Sequence, residues 1–235
     1  MIKRAFTLLE VLIVLAIIGI ITVLVLPTFT KNVNNEINAT VLKSTFADVT
    51  NAFQQAMIDE GVRRISDMDI SEKALVKKYF DVSQDCGQNL TPCFSDSYTK
   101  LNGESREFLD KINGYVATIS NGSSIALNLN HDGSSAYCVR IDTNGPKAPN
   151  VVGRDRFSAC FDDRGKYNFN HVANSTTLSS SDVKDLAEKC YKNGNSEACF
   201  DLLVFSDWDI TTYSNYLSNV KVKKEKTEKK AGKKV

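Results

Sequence analysis

The sequence is poor in histidine. His131 and His171 are the only two in 235 residues, and neither has a metal-ligand spacing around it. No C-x-x-C pair occurs, which removes the zinc-ribbon and zinc-finger classes. G-x-S-x-G, H-E-x-x-H, Walker and G-x-G-x-x-G patterns are also absent, and with them the hydrolase, zinc-peptidase, nucleotidase and dinucleotide-binding readings. The acidic residues are scattered without a paired constellation, so the chain reads as a non-enzyme. A basic surplus is missing too. The net charge is +1, yet residues 221–235, KVKKEKTEKKAGKKV, hold eight Lys and two Glu, so residues 1–220 sum to −5. Such a body carries no footprint for duplex nucleic acid.

What the chain does have is one apolar run, residues 6–26, FTLLEVLIVLAIIGIITVLVL, in which Glu10 is the single charge. As a helix it is about 31 Å long, close to the hydrocarbon thickness of a bilayer. It has no polar face, which favours a membrane-spanning helix over a buried core helix. Lys3 and Arg4 precede it and hold that end in the cytoplasm, leaving the rest outside. A carboxylate at the centre of a membrane helix costs roughly 2.5–3.5 kcal/mol and less near an end. Glu10 therefore reads either as snorkelling to the headgroups or as one half of a charge pair at the membrane edge.

Lys3-Arg4-Ala5-Phe6-Thr7-Leu8-Leu9-Glu10 resembles the processing site of type IV pilins and type II secretion pseudopilins. The resemblance implies that a prepilin peptidase cuts between Ala5 and Phe6 and methylates the new Phe6 amine. It also implies that Glu10 serves assembly. Ala5 stands where Gly is more usual, while Gly19 and Pro27 fall where such proteins often carry Gly and Pro. A secretory signal is cut after its apolar stretch and discarded; here the stretch would be kept. The amine of an incoming subunit could then meet the Glu10 of its neighbour, offsetting a lone buried charge and setting the axial register.

From Thr28 to Glu60 the helix is expected to continue in amphipathic form, with Val33, Ile37, Val41, Phe46, Val49, Phe53 and Met57 as its stripe. Pro27 predicts a kink or a melted turn. Gly61 ends the helix, and Ser71 caps a short second one. Residues 105–112 suggest another short helix. After Gly114 the period changes to two. Strands at 115–119 and 124–129 flank an Asn121-Gly122 turn, then Asp132-Gly133 turns into 136–141; further strands follow at 157–161 and 166–169. Ser179–Asp182 caps a helix to about Lys192, and Trp208 closes an apolar stretch as a core-covering residue. The Lys-rich end lacks an apolar period and is expected to be disordered.

Six cysteines, Cys86, Cys93, Cys138, Cys160, Cys190 and Cys199, all lie beyond the apolar run. An even number on the outer side suggests disulfides, with fifteen pairings open. Neighbours in sequence close the shortest loops, which favours Cys86–Cys93, Cys138–Cys160 and Cys190–Cys199. Residues 142–157 resemble a D-x-N-G-x-K-x-P-N-x-x-G-x-D-x-F segment of many pilin-like proteins. Asp142, Asn144, Asn150 and Asp155 could bind Ca²⁺, as in the major pseudopilins. The preferred reading is a tight turn forced by Gly145, Pro146 and Pro149, because the spacing is not that of an EF-hand and no bidentate Glu is present.

The expected fold is α+β and pilin-like, a long N-terminal helix laid on a small antiparallel sheet. Its parts are a leader (1–5), a transmembrane helix (6–26), an amphipathic continuation (27–60), an exoplasmic globular domain (61–220) and a basic disordered tail (221–235). The expected function is that of a structural subunit of a type IV pilus or a type II secretion pseudopilus, without a cofactor. The resemblance implies as partners copies of itself or related pilins, the prepilin peptidase and an inner-membrane assembly platform. It places the precursor in a bacterial inner membrane before incorporation into the filament. The alternative is a membrane-anchored binding module, a minor pilin or adhesin, presenting the 142–156 loop.

Overall fold

The computed structural model describes residues 7–106, 111–129, 137–168 and 178–231, with side chains at all of these except 23–34, 111 and 222–231. The chain divides into two compact units, Met1–Ile37 and Asn38–Val235. Helix α1, Leu8–Glu60, begins in the first and ends in the second. Its helical backbone is unbroken through Gly19 and Pro27, where the sequence predicts an irregularity. A proline removes one backbone donor, and the turns on either side keep theirs. In the first unit Leu8, Leu9, Leu12, Leu15, Ile18 and Ile20 all stand exposed on successive turns. Thr22 hides its hydroxyl by donating to the Ile18 carbonyl at 2.8 Å.

In the second unit, α1 buries Ala39, Leu42, Thr45, Val49, Ala52, Phe53, Ala56 and Met57. This seam differs from the expected stripe. Val41 and Phe46 are only half-buried, while three alanines sit in the contact. Small residues let the helix axis approach the sheet closely, and a reading weighted by large apolar side chains passes over them. The helix stops in a Schellman motif: Gly61 has φ +68°, the Gly61 N–H donates to Ile58 O and the Val62 N–H to Met57 O. Helix α2, Glu72–Tyr79, follows, capped by Ser71 as expected.

The sheet is antiparallel with five strands: β1 Val82–Asn89, β4 Lys111–Ile119, β5 Ser124–Leu127, β6 Tyr137–Asp142 and β7 Arg156–Phe161, in the order β1-β4-β5-β6-β7. A small ribbon pairs β2 Tyr98–Thr99 with β3 Ser105–Arg106. The α+β class is as the sequence indicates. The sequence reading lacks β1, an edge strand that buries only Cys86 and pairs with β4 through irregular register. Edge strands broken by bulges show little alternation to read. The helix expected at 105–112 is instead β3 and the first residues of β4, residues 107–110 lying outside those described. The strand expected at 166–169 reduces to one bridge, Phe161 to Tyr167. The Asp132-Gly133 turn lies outside the described residues.

Two contacts seat α1 on the sheet. Phe161 of β7 stacks on Phe46 with ring centroids 5.6 Å apart and meets Phe53 edge-on at 5.1 Å. At the β4–β5 turn, Thr45 Oγ1 lies 3.0 Å from Ser123 Oγ and accepts from Asn121 Nδ2 at 3.1 Å. That buried hydroxyl network fixes the turn against the helix. A fully buried aromatic ring such as Phe53 contributes about 1.5–3 kcal/mol by apolar burial.

Three helices complete the unit. Helix α3, Ser180–Glu188, starts in a capping box between Ser179 and Asp182 and runs into a wide turn ended by Gly194. Helix α4, Ser196–Phe205, is capped by Asn195, packs along β7, and meets α1 through Phe200 on Phe46 at 5.2 Å. Trp208 packs on this cluster, 5.6 Å from Phe200. Helix α5, Ile210–Ala231, buries Tyr213, Leu217 and Val220. The segment expected to be disordered from Lys221 is thus helical as far as Ala231. Lys, Glu and Ala propagate a helix well, and one already nucleated by a docked first half extends at little cost.

Candidate functional site

The first candidate is the N-terminal segment. Ala5 and Phe6, the expected cleavage and methylation positions, lie outside the described residues. Glu10 sits in the first turn of α1. Its Oε2 accepts from the Thr7 N–H at 3.1 Å and the Thr7 hydroxyl at 3.0 Å, and its own N–H donates to Thr7 Oγ1 at 3.2 Å. This is a capping box, which satisfies two otherwise orphaned helix donors. The signal was present in the sequence as T-x-x-E ahead of an apolar run. It makes Thr7 the residue that orients the Glu10 carboxylate. Among the described residues no helix is long and apolar enough to cross a membrane. The described side chains of the apolar run end at Thr22.

The second candidate is the 142–156 loop between β6 and β7. The antiparallel register sets Asp142 opposite Arg156. Asp142 Oδ2 accepts from the Tyr98 hydroxyl, and Oδ1 from the Asn144 N–H at 3.2 Å. Asp155 Oδ1 accepts from the Val151 N–H at 2.7 Å. Asn144 Nδ2 donates to Lys147 O, and Asn150 Nδ2 to Ser95 Oγ. Asp142, Asn144 and Asp155 each close a local turn, while Asn150 reaches across to Ser95. Four acceptor oxygens remain buried without a hydrogen-bond partner: Thr143 Oγ1, Asn144 Oδ1, Asn150 Oδ1 and Asp155 Oδ2. Burial pushes the Asp142 carboxyl up to about 7, with the Tyr98 hydrogen bond partly offsetting it. Burial, then the neighbouring Asp142, push Asp155 up to about 8.

The loop is also a meeting point. Asn38 of α1 donates to Arg154 O at 3.4 Å, and Tyr213 of α5 donates to Gly153 O at 2.6 Å. Thr99 of β2 pairs with Val151, and Arg156 stacks 4.8 Å over the Tyr98 ring. Only the tip, residues 146–149, is exposed. The loop is clamped by these elements rather than held out to solvent, which weighs against the reading of a presented binding loop. Its long-range partners Asn38, Ser95, Tyr98 and Tyr213 carry no sequence signal, because each arrives from a separate element.

The cysteines form Cys86–Cys93, Cys138–Cys160 and Cys190–Cys199. Cys138 and Cys160 are direct cross-strand neighbours. Their sulfurs and a Glu197 oxygen lie within 4.8 Å of one another, but sulfurs joined to each other offer no thiolate to a metal.

Comparison with known proteins bears on the N-terminus alone. Residues 1–26 match the family model of the prokaryotic N-terminal methylation motif, the hallmark of type IV pilin and pseudopilin precursors. No curated protein and no solved structure matches the chain.

Proposed function

We propose that this chain is a structural subunit of a type IV pilus-like or type II secretion pseudopilus filament. Its precursor would sit in a bacterial inner membrane through residues 6–26, with the unit from Asn38 onward outside the cytoplasm. A prepilin peptidase would cut between Ala5 and Phe6 and methylate Phe6, and an inner-membrane platform would add the subunit to copies of itself or related pilins. The N-terminal methylation motif carries this reading. The run of exposed Leu and Ile side chains on the first turns of α1 supports it, since such a surface needs lipid or neighbouring helices to cover it. Mass spectrometry of the protein from its native host is expected to show a chain beginning at N-methylated Phe6. An intact Met1–Ala5 leader on assembled protein would falsify the processing step.

A second reading concerns the 142–156 loop, and its four orphaned oxygens support it. Thr143, Asn144, Asn150 and Asp155 would supply the oxygen set that a hard divalent cation such as Ca²⁺ takes. Asp142 fits less well, having both oxygens engaged by Tyr98 and Asn144. Without a cation the raised carboxyls make stability pH-dependent. Asp142 and Asp155 are ionised in the unfolded chain above about 4 but stay protonated in the fold to about 7 and 8. Their contribution is therefore complete at low pH and lost as pH rises through 7 and 8. Asp201, pushed up to about 7 by burial, acts in the same direction. Asp59 and Asp85, held at about 2 with Lys78 and Lys77 as the largest causes, have finished titrating by then.

In EDTA, the Tm of the full chain in detergent is expected to fall by several degrees between pH 5 and pH 8. Asp155→Asn should lessen that fall, leaving the part due to Asp142 and Asp201, since a neutral amide keeps the bond to Val151 and gives the orphaned acceptors a donor. Ca²⁺ at pH 8 should restore the wild-type Tm and leave the variant unmoved. A wild-type Tm that ignores Ca²⁺ removes the cation and leaves the turn.

A further inference from the structure

Helices α3, α4 and α5 enclose a cavity that the filament role leaves unused. Its volume is about 470 Å³, within the range of roughly 300–1,000 Å³ typical of small-molecule sites. Val183 and Ala187 of α3 form one wall and Tyr216 and Val220 of α5 the other, with Leu178 ahead of α3 and Phe205 at the end of α4 completing the apolar lining. Val183, Ala187 and Val220 are buried, so the floor is apolar. Phe205, 37 % exposed, and the half-buried Tyr216 stand at the mouth with ring centroids 6.3 Å apart. Packed interiors leave few voids larger than a water molecule, so a cleft of this size is room for a guest rather than slack in the core.

Four polar residues line the same cavity: Ser180, Lys184, Glu188 and Asn219. Glu188 is occupied by Lys192, whose Nζ donates to it at 3.2 Å. The other acids of α3 also have partners, Asp182 in the capping box and Asp185 on Lys189 at 2.8 Å. Ser180, Lys184 and Asn219 make no side-chain hydrogen bond or ion pair within the chain. Lys184 is therefore the one lining charge without a counter-charge, and it is positive. The adjoining sequence does not oppose it. Residues 169–177, FNHVANSTT, hold no Asp or Glu, and α5 continues past Val220 into the Lys-rich segment. An apolar cleft edged by one unmatched cation and two neutral hydrogen-bonding groups fits an elongated apolar molecule with an anionic end. Phe205 is the only large apolar side chain of these three helices that stands exposed among the described residues. The apolar surface thus lies inside the cleft and not across a helix face, which suits a slender chain over the broad stripe of a partner helix.

We propose that the cleft between α3 and α5 binds a long-chain fatty acid, with its hydrocarbon against Val183, Ala187 and Val220 and its carboxylate on Lys184, Asn219 and Ser180. Burial of the chain supplies the affinity. The charge-assisted bond to Lys184 selects a carboxylate over an alcohol. The guest bridges α3 and α5 and strengthens the docking of α5.

The test uses the full chain in nanodiscs of zwitterionic lipid, where no detergent competes for the cleft. A photoreactive palmitate is added and irradiated, and its attachment is located by peptide mass spectrometry. The expected result is saturable labelling of residues 178–188 and 205–220, displaced by palmitate and about tenfold or more less well by hexadecanol. Lys184→Gln should weaken the labelling by a similar factor, and Lys189→Gln, on the same helix but paired with Asp185, should keep it. Ala187→Leu, which fills the cleft, should abolish it. Should that variant not fold, Asn219→Trp closes the cleft from its exposed edge. Labelling confined to residues 8–26, or spread along the chain, is lipid-phase contact only and overturns the proposal. So does cleft labelling that survives Lys184→Gln or yields equally to hexadecanol. None of these outcomes requires a filament, so they are distinct from the test of Phe6 processing.

Discussion

Gly153→Ala is expected to lower stability by about 2–5 kcal/mol, the largest loss from any single methyl group in the 142–156 loop. Two effects add. Gly153 has φ +87°, a region that costs an L-residue roughly 1–2 kcal/mol. A Cβ there would also lie 2.7 Å from Cys199 Sγ, 3.0 Å from Leu101 Cδ1 and 3.1 Å from Cys190 Sγ. The disulfide sulfurs are tethered between α4 and the wide turn before it, so they yield less than a free side chain would, and overpacking costs about 1–3 kcal/mol more. The Gly153 carbonyl is also the acceptor for Tyr213, so any shift of the loop weakens the docking of α5. Gly122 separates the two effects. It has the same φ of +87° but open space around its would-be Cβ. Gly122→Ala should show only the strain. Urea or thermal unfolding that finds the two variants alike would remove the close packing of loop against disulfide from the account.

On the proposed filament role, Glu10→Gln is expected to leave the fold intact and to reduce assembly by about a hundredfold or more. Gln can replace Glu in a capping box, so the contacts with Thr7 and the start of α1 survive while the charge does not. Glu10 stands exposed in the first turn of α1, and the hydrogen bonds of its carboxylate and N–H go to Thr7. Tm should therefore not move. If the Phe6 amine of one subunit pairs with Glu10 of the next, removing one partner strands a buried cation, which typically costs about 3–5 kcal/mol. Thr7→Ala is the companion variant. It keeps the charge and loses its orientation, and should give an intermediate defect. Quantifying sheared filaments by immunoblot and electron microscopy reads both. Normal filament yield from Glu10→Gln would remove the charge pair as the source of subunit register.

The structure and the sequence part company in informative places. The segments marked by strong local chemistry are where the residues said they would be: the Gly61 stop, the Ser71 and Ser179 caps, the Asn121-Gly122 hairpin and the β6 and β7 strands. Each depends on a backbone conformation or a hydrogen bond spanning a few residues. The departures are elements that owe their form to a neighbour. β1 is a strand because β4 is beside it, and the alanines of α1 are buried because the sheet is close. The Lys-rich segment is helical as far as Ala231 in continuation of a docked α5. None of these can be read from a window of sequence, since local preference is weak and tertiary contact overrides it.

The same division holds for the candidate sites. The N-terminal segment announces itself, because a long apolar run with one carboxylate and a basic leader is chemistry written in consecutive residues. What waited for the tertiary structure was everything that needs two distant pieces of chain. Tyr98 comes to Asp142, and Asn38 and Tyr213 close on the 153–154 backbone. The physical reason is range. Caps, turns and apolar periodicity act over one to a few turns of chain, whereas desolvation and charge pairing act through space on whatever the fold brings near.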